Sequence, residues 1–534
     1  MLKRVCMISS LSRAVGLAMI GLCWSGPVWA ESLEERVSQL EKQQERQSNA
    51  LELVSEMAGK VEVSGFVSIR GGQIDSEETS YVTTLTDEWT FSEESVFGLQ
   101  FNSTLSESMS ASLQLKASGL RDGVEFEWAY LEYAFQPDLK LRAGRLRAPG
   151  YMLSEYLDVG YAYPWAQVPY EVYGWLPFNR YEGLDLRHWF SVGDADLRVT
   201  AYAGTSSDQK LRLGNFEYTD QTSRFAGLEV QMTYDIYTFR AGYSRYRFEL
   251  TGSALDVYLL PLVNGVTIVP GIEPYVGEVK VPGLIDYADD VMSGDGVTPG
   301  SGFLTDMILL FSGDADPAND ALIPVLENER SALAAQLQPY QQIPSMNEDT
   351  YGEFFGLGFS ADNGEYLIMA ELTSSYIEGV FPDVEGGYVL VGYRFGNWMP
   401  YVNVATVYTV GNNDFPALVP IQGNPVIEAA IPGYGQLVEG ANLFTGGLIA
   451  AMNALRLEQD TYTLGVRWDP AVSLAIKAEM FYANMSDGSY GFALPKQLLE
   501  LAAGNSSGRS VDEITISSPE ENVTGVRLSI DMVF

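Results

Sequence analysis

Cysteine is almost missing from this chain: in 534 residues it occurs only as Cys6 and Cys23. Everything beyond residue 23 is therefore without disulfide bracing or thiol chemistry. Histidine occurs once, at His188, so a Ser-His-acid triad or a histidine metal centre has one place only where it could be built. That place is predicted near a short turn at the end of a strand, the wrong end for a substrate-facing site. No spacing singles out a carboxylate pair for glycoside hydrolysis. Asp314, Asp316 and Asp320 lack the glycine and the distal glutamate of a calcium loop. The chain is read as a non-enzyme with no cofactor and no metal.

Long apolar runs are missing too. After residue 30 there is no stretch of about eighteen uninterrupted apolar residues, which excludes a helical membrane protein. Basic charge is in short supply, with 32 Lys and Arg against 70 Asp and Glu and a net charge of -38. That balance argues against nucleic acid and anionic surfaces as partners. The carboxylate excess is read first as a means of keeping exposed loops soluble.

At the start of the chain, Lys3 and Arg4 precede an apolar run from Ala14 to Trp24, and Val28-Trp29-Ala30 offers a cleavage site. Residues 1–30 read as a signal peptide cut after Ala30; Leu22 before Cys23 is a poor lipoprotein site. In residues 31–60, Leu33, Val37, Leu40, Gln44, Gln47, Leu51, Val54 and Ala58 fall alternately four and three apart. These are the a and d places of a short periplasmic coiled coil, with two glutamines weakening its seam. A lone amphipathic helix on the periplasmic rim is the alternative.

From Val61 to Phe534 the period changes to two. The closing segment ENVTGVRLSIDMVF sets Val526, Leu528, Ile530, Met532 and Phe534 on one face and Gly525, Arg527, Ser529 and Asp531 on the other. Similar segments recur, joined in pairs by tight turns such as Leu105 to Ser108, Gln136-Pro137-Asp138, Asp235-Ile236, Asp362-Asn363-Gly364 and Asp469-Pro470. The count is about sixteen strands, and the fold class is all-β: a 16-stranded antiparallel transmembrane β-barrel behind a short N-terminal coiled coil. Every second connection is short and the others are usually long, including 148–182, 251–352 and 410–459. Short turns belong on the periplasmic rim and long loops outside. Apolar residues in the two largest loops suggest that these loops pack on one another or on a neighbouring subunit. Val263 to Val266 reads as a small hairpin, and Asn319 to Leu337 has helical spacing despite Pro324.

The terminal Phe534, with apolar residues at every second place before it, resembles the C-terminal signature of Gram-negative outer-membrane barrels. The third long connection, Ala148 to Glu182, is dense in aromatics, with Tyr151, Tyr156, Tyr161, Tyr163, Trp165, Tyr170, Tyr173 and Trp175 beside Glu155, Asp158 and Glu171. Here the sequence resembles the general porin superfamily. The run LRAGRLRAPG leading into SEYLDVGYAYPW is similar to trimeric porins with an N-terminal periplasmic coiled coil, the DcaP-like type among them. The resemblance implies a homotrimer in the cell outer membrane, in contact with its lipid and lipopolysaccharide. It also implies that Phe534 signals to the barrel assembly machinery, and that the third loop folds inward to form a constriction.

Alternation places Lys140 and Arg142 in the lumen with Gly144, and Arg70, Arg187, Arg198, Arg240, Arg394, Arg467 and Lys477 inward as well. Arg145 and Arg147 have the other parity, so either a bulge after Gly144 turns them inward or they sit at the outer rim. Glu132, Asp185, Glu229, Glu371 and Glu479 are the inward acids. The resemblance implies a basic wall facing the acidic loop residues Glu155, Asp158 and Glu171; in the blander alternative these charges pair and brace the wall. The functional expectation is a porin for passive diffusion of small hydrophilic solutes and ions. The alternative is a structural or adhesion barrel whose loops close over the lumen.

Overall fold

A computed structural model describes residues 61–534 apart from short stretches, the longest being 252–265, 269–278, 294–300, 342–349, 412–418 and 497–519. The expected signal peptide (1–30) and coiled coil (31–60) lie outside the described residues.

Sixteen strands form the wall. They are β1 (Val61–Ile74), β2 (Val96–Thr104), β3 (Met109–Ser118), β4 (Arg121–Gln136), β5 (Leu139–Arg147), β6 (Arg180–Val192), β7 (Ala195–Thr205) and β8 (Phe216–Tyr234). The second half comprises β9 (Tyr237–Thr251), β10 (Thr350–Asp362), β11 (Tyr366–Ile377), β12 (Asp383–Tyr393), β13 (Trp398–Gly411), β14 (Glu458–Ala471), β15 (Leu474–Met485) and β16 (Asn522–Val533). Each pairs antiparallel with its neighbour, and β1 closes the barrel against β16 from Phe66↔Val533 to Ile74↔Gly525. Closure removes both sheet edges, so every wall strand has a ladder on each side.

The faces are inverted relative to a water-soluble sheet. On β16, Leu528, Ile530 and Met532 are 40–45% exposed, while Arg527, Ser529 and Asp531 are at most 7% exposed. The same alternation runs along β11, where Ile368 and Leu372 face out and Glu371, Thr373 and Ser375 face in. Exposed aromatics gather beside the short turns: Tyr133 with Phe135, Tyr366 with Tyr393, and Trp398, which stacks on the half-buried Trp468 at 5.3 Å. Amphipathic rings at one rim of an apolar band suit an interface between hydrocarbon and water.

Two strands have irregular ends. β14 runs on to Ala471, so its reversal falls after Asp469-Pro470, and the β14–β15 register slips between Trp468 and Ala471. That irregularity accommodates a proline with no N–H for the ladder. β8 begins at Phe216, and its first part pairs with Gln209–Leu213. Ladder bonds join backbones, so this polar extension pairs without apolar alternation.

The two largest loops are partly helical and pack on one another. Phe303 (helix Phe303–Ser312) stacks on Tyr434 (helix Tyr434–Leu455), whose hydroxyl donates to Glu329 of the helix Ile323–Gln341. Tyr340 Oη donates to Val419 O at 2.6 Å. Asp316 caps the short helix Pro317–Asp320 by accepting from Ala318 N at 2.9 Å. Asp314 and most of the expected hairpin at 263–266 lie outside the described residues; Val266–Ile268 pairs with Val279–Val281.

Candidate functional site

The connection between β5 and β6 enters the barrel and is gripped by its backbone. Arg240 on β9 donates to Pro149 O (2.7 Å) and Gly150 O (3.2 Å). Glu371 on β11 accepts from Met152 N and Tyr173 Oη, each at 2.6 Å. Arg467 on β14 donates to Tyr161 O and Tyr163 O, and Lys477 on β15 to Gly160 O and Trp165 O. Glu479 accepts from Ala166 N at 2.9 Å. The loop therefore spans the bore from β5 and β6 to the far wall. Its aromatics pack inside: Tyr163 and Trp165 are buried, Trp165 meets Tyr388 edge-on at 5.2 Å, and Tyr151 meets Phe354 at 5.0 Å. A Cβ on Gly386 would lie 2.1 Å from Glu171 O, so the β12 wall needs glycine there for the loop to approach.

On the near wall, arginines of successive strands converge. Arg142 (β5) donates through Nε to both carboxylate oxygens of Asp185 (β6), at 2.9 and 3.0 Å. Arg198 (β7) lies 2.8 Å from Glu229 (β8), which also accepts from Arg240 Nε at 3.1 Å. Glu155 of the loop stands among three of these cations: it accepts from Arg187, and it lies 3.5 Å from Arg198 and 4.0 Å from Arg142. Burial opposes ionisation of Glu155, but the charges of Arg187, Arg198 and Arg142 outweigh it and hold the carboxyl down at about 2. Two unit charges about 4 Å apart attract by about 4 kcal/mol at an effective dielectric constant of ~20, against about 1 in water, before desolvation is subtracted. Charges placed here thus act more strongly than they would in bulk solvent.

Asp158 anchors a second cluster, 2.7 Å from Arg147 and 3.1 Å from Lys116. Burial again opposes its charge, and Arg147 and Lys116 prevail, pulling the carboxyl well below the usual range. Lys116 also meets Glu127 at 2.7 Å, and Arg180 meets Glu125 at 2.8 Å. Glu127 sits where the β3–β4 register slips, a bulge that turns an out-of-phase carboxylate inward.

Three expected lumen residues lie elsewhere or do something else. Arg145 does not join the lumen set: it pairs at 2.6 Å with Glu182, whose parity is that of the outward Leu184 and Leu186, so the pair lies on the outer face. Of the two alternatives for Arg145 and Arg147, an inward turn through a bulge after Gly144 or a place at the outer rim, Arg145 takes the outward one and Arg147 pairs inward with Asp158, while the register slip lies on β4. Glu171 is buried and accepts from Gln459 Nε2 at 2.9 Å, packing the loop's short helix rather than facing the arginines. Lys140 pairs with Glu132 at 2.8 Å, nearer the short-turn rim than Arg142. Beside it a cavity of about 640 Å³ opens, lined by Asp138, Trp189, Asp196, Arg198, Gln231 and Thr233. Lys116, Glu127 and Arg180 were not picked out as site residues; Lys116 could have been, since it continues the polar face of Gln100 and Gln114 across the β2–β3 ladder.

His188 lies 3.8 Å from Asp138 at the short-turn rim and is half exposed. Among the described residues no group of three potential metal ligands occurs. What the arrangement supplies is a field of fixed charge across a narrowed bore.

Fold and site together define a closed sixteen-stranded barrel with a charged loop drawn across its interior. Solved structures with a similar fold include the outer membrane channel DcaP of Acinetobacter baumannii, at 10% identity over 89% of this chain and 97% of that one, with a TM-score of 0.43. The anion-selective porin from Comamonas acidovorans matches at 12% identity over 89% and 99%, with a TM-score of 0.42. OmpT, an outer membrane protein of Vibrio cholerae, matches at 11% identity over 89% and 97%, with a TM-score of 0.41. No family model matches the chain, and no curated protein matches it.

Proposed function

We propose that this protein is an outer-membrane channel through which small hydrophilic solutes and ions diffuse passively, filtered by charge where the loop meets the arginine wall. The observation that carries this reading is the convergence of Arg142, Arg187 and Arg198 on the single loop carboxylate of Glu155, inside a barrel that is polar within and apolar without. In this reading the short turns face the periplasm and the helical loops face the exterior, where the wall meets lipid and lipopolysaccharide. Self-association as a homotrimer, with residues 31–60 as a periplasmic coiled coil, belongs to the same proposal.

Planar-bilayer recording of the purified, folded protein tests it. Discrete conductance steps whose reversal potential responds to lumen charge are the expected result. Folded protein that inserts and never opens would overturn the channel reading in favour of a structural or adhesion barrel closed by its own loops.

A further inference from the structure

Lys477 is fully buried, on the wall opposite Arg142, Arg187 and Arg198, and is out of reach of any solute in the bore. Its ammonium has three protons to donate. Three acceptors surround it: Gly160 O at 2.7 Å, Trp165 O at 2.7 Å and Asp531 Oδ2 at 3.0 Å. The ammonium also lies 4.9 Å above the Tyr163 ring, a favourable place for a cation. Ser529 Oγ donates to Asp531 at 2.8 Å, fixing the carboxylate from its own strand. Arg70 completes the arrangement by donating to Tyr163 Oη at 2.7 Å and Gln167 Oε1 at 3.1 Å. Burying an ammonium and a carboxylate is costly unless every partner is present, so removing one partner releases the others.

From this we infer that Lys477, paired with Asp531, is a positioning residue that sets the selectivity of the channel without touching what passes through it. The ammonium clamps two loop carbonyls, five residues apart, to β15. Those carbonyls follow Glu155 and Asp158 closely in the chain, so the clamp determines how far both carboxylates reach toward the near wall. Gly160 belongs to the same device. A Cβ at that position would lie 2.0 Å from Asp531 Oδ1 and 2.6 Å from Ser68 Oγ, so even alanine must displace either the loop or the carboxylate that holds Lys477, and both disturb the clamp. The inference rests on the channel reading, and its test has one arm that needs no conduction.

Two variants act on the clamp by unrelated means. Lys477→Met removes the ammonium, whereas Gly160→Ala changes no charge at all. Both should raise single-channel conductance and move the reversal potential from its original value. A shift in Gly160→Ala cannot be direct electrostatics, because no lumen charge has changed. The second arm introduces Ala166→Cys, at a buried loop position in a chain with no other cysteine beyond residue 23. A hydrophilic maleimide should label it slowly in the parent and about tenfold or more faster when either clamp variant is added, as expected for local release of a packed segment. Unchanged conductance, reversal potential and labelling in folded Gly160→Ala protein would overturn the inference even if Lys477→Met fails to fold. A parent that never conducts, yet shows the accelerated labelling, would sink the channel reading and leave the clamp standing.

Discussion

Arg198 and Glu155 approach to 3.5 Å where the loop meets the wall, the one on wall strand β7 and the other on the short 3-10 turn Ser154–Tyr156 of the loop. The relationship is unequal. Arg198 has a second carboxylate, Glu229, at 2.8 Å, whereas Glu155 is the one loop carboxylate shared by Arg142, Arg187 and Arg198. Neutralising Glu155 therefore unbalances three cations at once, while neutralising Arg198 leaves each of its partners another arginine.

Glu155→Gln should move the reversal potential toward anions, read in a salt gradient across a planar bilayer. Acid should imitate the substitution, but only at very low pH. The carboxyl is held at about 2, below its ordinary 4.5, so its contact with the wall contributes fully above about pH 4.5 and is lost as pH falls through about 2. A titration near pH 4.5 that is present in the parent and lost in Glu155→Gln would mean that Glu155 does not sit among these arginines.

Arg198→Gln should shift selectivity the other way, toward cations. Arg198 is preferred to Arg142 for this test because Arg142 holds both carboxylate oxygens of Asp185, which is 1% exposed, and its loss would leave that buried carboxylate only Arg187, at 3.6 Å. The shift should be larger in 0.1 M than in 1 M salt, since the screening length falls from about 10 Å to about 3 Å. Equal shifts at both concentrations would point to a change of bore shape rather than of charge.

The alternation of β11 and β16 was legible because a wall between hydrocarbon and water imposes period two on side-chain chemistry. The inward Arg142, Arg187, Arg198 and Arg240 followed from it. Arg145 keeps the outward parity that the alternation of β5 gives it, but Glu127 did not follow, because a register slip on β4 reverses parity over a few residues and leaves no mark in composition. Glu171 was misplaced for another reason: an acidic residue in an acidic loop looks the same whether it faces a cation or hydrogen-bonds Gln459. The clamp at Lys477 was illegible since its partners at Gly160 and Trp165 are carbonyls, which every residue carries. Lys477 had been placed inward, but its reach across the bore depends on the path of a loop more than three hundred residues earlier in the chain.

The inverted faces make a stability prediction on one strand. Leu372 is 62% exposed on the outer side of β11, while its neighbour Thr373 is buried inside. Leu372→Arg should destabilise the barrel refolded in lipid vesicles by about 2–4 kcal/mol, the cost of arginine on the lipid face near mid-depth. The same variant should cost far less in a detergent whose micelle yields around the charge. Urea titrations followed by the mobility difference between folded and heated protein give both values. A substitution neutral in vesicles would contradict a membrane-facing Leu372.

Phe534 lies at the closing seam. Its N donates to Gly65 O at 3.0 Å, and its O accepts from Gly65 N at 2.8 Å. Its ring lies so close that a Cβ on Gly65 would fall 2.6 Å from Cζ. Behind it, nine residue pairs from Phe66↔Val533 to Ile74↔Gly525 still join β1 to β16. Deleting Phe534 should therefore leave a barrel that closes in purified form, weakened by about 1–3 kcal/mol for the two hydrogen bonds lost at an exposed end. Its yield in the outer membrane of living cells should fall much further if the terminal ring is also what the barrel assembly machinery reads. Comparing refolding from urea with the amount of heat-modifiable protein in membranes separates the two effects. Equal losses in both settings would reduce Phe534 to a seam residue, and loss only in cells would assign it the signalling role.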